Sequence, residues 1–164
     1  MMKETIVILL ILFTIGCGDK EKEEEAFNLD DLQSSWVSTE VELYTDDSWP
    51  ENPTYLSSIA PEEDGDYMAL NIIDVEQGNF SFNTNWWFER FEYSDFYNVV
   101  GCNEGECVKG MKFNVEGQII FWASYYEADA ETTFVNVPYD LEGDVLKLGL
   151  FSYNGSQRVG VFSR

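Results

Sequence analysis

The sequence predicts an all-β domain, an antiparallel up-and-down meander of about eight strands. Three observations predict it. Apolar and polar residues alternate over short runs instead of recurring at helical spacing. Glycine-based turn signals separate those runs. Aromatic residues, which fit a pleated half-buried surface, make up 16% of the chain.

The elements follow in order. Residues 29–34 suit one short helical turn before the first strand, 36–44. The next strands are expected over 67–75 and, after Gln77-Gly78-Asn79, over Phe80 and 86–96. In 111–115, Met111, Phe113 and Val115 share one face while Lys112 and Asn114 take the other. Glu116-Gly117 reads as a tight turn into 118–126, rich in Ile, Phe, Trp and Tyr. Residues 132–137 form a short β-branched run, and 145–153 places Leu146, Leu148 and Leu150 on one face. Asn154-Gly155 is a two-residue hairpin signal, because a type I′ turn needs positive φ at both central positions. The returning strand is 157–163. A meander of this kind protects its edges completely only by closing into a barrel, an open sheet or a two-sheet sandwich being the alternative.

One connection is long. Residues 45–65 hold three of the four prolines, Pro50, Pro53 and Pro61, around an apolar middle that can fold back over one mouth of the barrel.

The N-terminus predicts location. Residues 6–15 are one apolar run, too short to span a bilayer, after a polar start containing Lys3. The run ends in Thr14-Ile15-Gly16-Cys17, which resembles the signal of bacterial lipoproteins. That resemblance implies cleavage after residue 16 and acylation of Cys17, hence a membrane as partner and an extracytoplasmic envelope location. Residues 17–27 are mostly charged and cannot offset their ordering entropy by burial, so they read as an acidic tether. In lipoproteins of that kind an Asp directly after the cysteine is the inner-membrane retention signal; here Gly18 follows and Asp19 comes one later, so the resemblance implies the outer rather than the inner membrane. Residues 28–164 remain as one domain.

The formal net charge is −22, which repels nucleic acid and favours solubility. Cys102 and Cys107, in an exported chain, read as a disulfide closing a tight loop around Gly105. The chain contains no histidine, which removes Ser-His-Asp and Cys-His chemistry and most catalytic zinc sites. No phosphate-cradling glycine loop is present. Neither Asp46-Asp47 nor Glu62-Glu63-Asp64-Gly65-Asp66 has calcium-loop spacing. We therefore expect no catalysis, cofactor or metal.

Leu32-Gln33-Ser34-Ser35-Trp36, the long loop after the first strand, the stretch 139–148 and the closing Phe162-Ser163-Arg164 resemble lipocalin-like lipoproteins of bacteria. The family's opening Gly-x-Trp stands here as Ser34-Ser35-Trp36. The resemblance implies an eight-stranded barrel with an apolar cavity.

The aromatic residues are the candidate binding feature. Trp86, Trp87, Phe88, Phe91 and Tyr93, with Arg90 among them and Trp122 from a later strand, form the expected ligand-binding set. On a strand, Trp86 and Trp87 cannot both enter one core, so a bulge intervenes or one ring faces outward. Lumen-lining rings suit a small apolar or amphipathic ligand. The alternative is a filled core with outward rings that meet a glycan or a protein partner of unknown identity.

Overall fold

The structure, a computed structural model, describes residues 28–45, 49–114, 117–127 and 129–164. The signal, Cys17, the tether, Asp46-Asp47, Val115 and Glu116 lie outside the described residues. A 3-10 turn, Leu29–Leu32, precedes β1 (Ser35–Thr45). The Asn28 side chain caps it by accepting from the Asp30 N–H at 3.2 Å. Then come β2 (Tyr55–Ile59), β3 (Met68–Asp74) and β4 (Asn79–Thr84). A second 3-10 turn, Phe91–Tyr93, and the helix α1 (Asp95–Val100) intervene before β5 (Cys107–Phe113). The chain ends in β6 (Gln118–Tyr125), β7 (Thr133–Glu142), β8 (Val145–Tyr153) and β9 (Ser156–Ser163).

The sheet runs β4-β3-β1-β9-β8-β7-β6-β5, antiparallel throughout, with β2 paired to β1 beside that path. Bent round until β4 approaches β5, this is a nearly closed barrel in chain order, consistent with a lipocalin-like barrel. At the closure the Met111 N–H donates to the Gly78 carbonyl at 2.9 Å. Gly78 has φ +72°, and a Cβ there would run into the Met111 carbonyl. Only glycine serves that position.

β1 is long enough to take two partners along one edge. Its Ser35–Ser38 half pairs with β3, and its Val41–Tyr44 half with β2, while β9 lies along the other edge. Within the described part of residues 45–65, the apolar middle therefore does not fold back over a mouth but pairs with the wall. Residues 55–59 extend the wall, and Trp49 packs with Tyr44 and Val159 in a small cluster on its outer side. The expected strand over 86–96 is also absent: β4 stops at Thr84, and the aromatic run becomes loop, 3-10 turn and helix. Ser94 starts the helix by accepting from the Tyr97 N–H at 3.2 Å, the preference of serine for an N-cap. At its other end the Lys109 ammonium donates to the carbonyls of Val100 (2.6 Å), which the helix end leaves open, and of Cys102 (2.9 Å) just beyond it. Burial lowers the Lys109 pKa from its ordinary value, opposed by the charge of Glu104. The disulfide Cys102–Cys107 closes the loop after the helix, as expected.

This excursion fills the barrel. Phe91, Phe96, Val99 and Val100 are fully buried in one cluster with Trp36, Leu70, Phe121, Leu148 and Phe162. Phe88 stacks on Phe91 at 4.6 Å between ring centroids, and Phe96 meets Phe121 edge-on at 5.7 Å. At the far end, the Trp36 indole donates to the Leu32 carbonyl at 2.8 Å and carries the Arg164 guanidinium over its ring.

Candidate functional site

The wall of the barrel splits between β7 and β8. Their ladder begins at the Gly143-Asp144 turn and ends at Tyr139↔Leu148, while β7 continues along β6 back to Thr133 and β8 continues along β9 to Tyr153. Pro138 explains the split. Hydrogen-bonded pairs alternate along an antiparallel ladder from the turn: Glu142 with Val145 and Asp140 with Lys147, so the next in the series, where the ladder has ended, would set Pro138 against Gly149. Proline has no N–H to give that rung. Gly149 accommodates the ring, because a Cβ there would sit 2.8 Å from Pro138 Cγ.

A cleft of about 880 Å³ opens at the split. Val135, Asn136 and Pro138 line it from β7, and residues 149–153 from β8. Ser94, Asp95 and Phe96, at the start of α1, form its floor. Residues 49–52 make an outer lip, with Arg90, Tyr93, Gln118 and Gln157 at the margins. The lining thus combines rings, amides and hydroxyls, with Glu51 and Asp95 as its acids and Arg90 as its cation.

Arg90 is held in an unusual way. Its backbone is left-handed (φ 67°), a region non-glycine residues seldom occupy. A hydrogen bond to Tyr153, helped by charge, raises its pKa above the ordinary arginine value. Its guanidinium also lies over the Tyr93 ring at 5.7 Å. Tyr153 meets a second cation, Arg158, which is only 4% exposed. Arg158 donates to the carbonyls of Tyr153 (2.8 Å) and Ser156 (2.9 Å) and pairs with Glu89. Its Nε is buried without a hydrogen-bond partner among the described residues.

The expected ligand set divides. Arg90 and Tyr93 line the cleft. Trp86, Phe88 and Phe91 are buried in the core. Trp87 is 52% exposed, so one ring of the pair does face outward, beside a second hollow of about 700 Å³ shared with Tyr153 and Asn154. Trp122 does not line the cleft; its ring packs against Gly110, where a Cβ would lie 2.6 Å away. The sequence reading missed Trp49, Asn136, Pro138, Gly149, Phe151 and Tyr153. Pro138 was the available signal, since proline inside a strand-like run marks an edge or an interruption. Among the described residues, no three His, Cys, Asp or Glu side chains converge on a metal position, and no helix is long and apolar enough to cross a membrane. Comparison with protein-family models, curated proteins and solved structures returns no match.

Proposed function

We propose that this chain is an envelope interaction protein of lipocalin-like type, anchored through an acylated Cys17, that holds a partner in a cleft of its wall. The signal over 1–16 and the charged tether over 17–27 support the anchor. Of the two binding modes the sequence allows, the geometry favours the filled core over apolar cargo in the lumen. One observation carries this choice: the barrel interior is occupied by the protein's own rings, Phe88, Phe91 and Phe96 among them, while a mixed aromatic and polar cleft stands open beside it.

The test is native mass spectrometry of the full chain, released from membranes in mild detergent. The expected mass is that of a chain starting at Cys17 with its acyl groups and nothing further. A stoichiometric apolar molecule that leaves on denaturation would overturn the cleft reading. A mass without acyl groups would overturn the anchor.

A further inference from the structure

We infer that the split between β7 and β8 is a docking slot for an extended peptide carrying alternating apolar and basic side chains, which adds to β7 as a strand. The inference rests on the cleft reading above and names the class of partner.

The backbone argument comes first. Along β7, successive residues turn their N–H and C=O groups to opposite neighbours. Asp140 and Glu142 turn theirs toward β8, so Asn136 and Phe134 do the same, two and three rungs beyond Asp140, where β8 has left. Val135 and Val137 turn theirs toward β6, which pairs with them. Among the described residues no strand pairs with this edge of β7 before Tyr139, so β7 is a wall strand with an open edge facing a cleft, and an extended peptide supplies the missing row of hydrogen bonds. The cleft is bounded behind by α1, so an added strand has a floor to rest on.

Side chains set the sequence preference. An added strand continues the alternation of the wall, with every second side chain turned inward. Inward positions meet Phe96 and Phe151 and call for small apolar groups. Outward positions meet the lip at Glu51 on a chain of net charge −22, which calls for lysine or arginine. Asp95, at the start of α1, adds a second acid to the slot.

The probe is a capped hexapeptide of alternating valine and lysine, titrated calorimetrically into the full chain in detergent. Saturable one-to-one binding is expected. The counterpart with glutamate for lysine, and the same peptide N-methylated at alternate amides, should each bind at least about tenfold more weakly. Asn136→Pro, which deletes the edge N–H without touching the ladder to β6, should weaken binding similarly, and Asn136→Ala should keep it. The N-methylated peptide leaves the protein unaltered, so a folding defect in Asn136→Pro cannot mimic the result. No binding, or equal binding of the methylated peptide, overturns strand addition. Binding of chitohexaose in place of the peptide also overturns it and leaves the cleft as the binding site. Apolar cargo in the lumen by mass spectrometry removes the cleft reading itself.

Discussion

At the scale of single residues, the outer wall carries a coupled polar group. Lys147 on β8 reaches diagonally across β9 to Glu42 on β1 at 2.7 Å, and the Tyr44 hydroxyl donates to the same carboxylate at 2.7 Å. Burial alone lowers the Lys147 pKa, but the hydrogen bond and charge of Glu42, joined by Tyr44, outweigh it and raise the value above 10.5. Burial and then Glu42 raise Tyr44 above 10.0. Both groups keep their protons in the folded chain at pH values where the unfolded chain has released them. Their contribution is thus fully present below about pH 10 and is lost as pH climbs through the raised folded values. Tyr139, raised by burial, adds to the fall, and Lys109, lowered by burial, opposes it, so the informative quantity is a difference. Urea midpoints measured from pH 8 to 11.5 should fall less steeply for Glu42→Gln than for the unaltered chain, with a loss at neutral pH of about 1 kcal/mol. Parallel curves would show that this carboxylate does not hold the two protons.

At the scale of elements, turns were the most legible part of the sequence and the exceptions have physical causes. Asn154 and Gly155 both have positive φ, 51° and 73°, as the hairpin signal requires. The strand over 145–153 appears with its expected bounds, because Leu146, Leu148 and Leu150 supply an alternating buried face. β2 escaped as a strand since nearly all of it is exposed, and a strand with no buried face carries no period. The run 86–96 misled because aromatic residues favour strands by packing, and here the packing they satisfy is the interior of the barrel. The split at Pro138 was visible as a residue but not as a geometry, because its effect depends on which rung of the ladder lacks a donor. That dependence can be tested directly. Pro138→Val restores the donor opposite Gly149, so one further rung should form, with a gain of about 1 kcal/mol in urea unfolding. The amide at position 138 should become protected from hydrogen exchange, and the valine–lysine peptide should bind more weakly as the slot narrows. An unprotected amide with unchanged peptide binding would show that something other than the missing donor parts the strands.

At the scale of the whole molecule, the chain solves the problem of a barrel interior by folding part of itself inward. The connection from β4 to β5 places Phe88, Phe91, Phe96, Val99 and Val100 among residues from both sides of the wall. The disulfide and the Lys109 bonds fix where that connection leaves. The same helix that fills the interior supplies the floor of the cleft, so core packing and the candidate site are one construction. Phe91 is its centre: fully buried, stacked on Phe88, with Tyr97 at 5.2 Å and Phe82 at 6.3 Å. Tyr93, two residues on, is 70% exposed. Phe91→Ala should therefore cost about 3–5 kcal/mol in reversible unfolding, through lost transfer energy and the hole left behind. Tyr93→Ala should stay within about 0.5 kcal/mol. The hole is apolar and enclosed, so the Phe91→Ala chain should also bind benzene, raising its melting temperature, while the unaltered chain should not respond. If the two substitutions cost the same, or if the unaltered chain is itself stabilised by benzene, the lumen has room to spare, and cargo inside the barrel becomes the better account of what the protein carries.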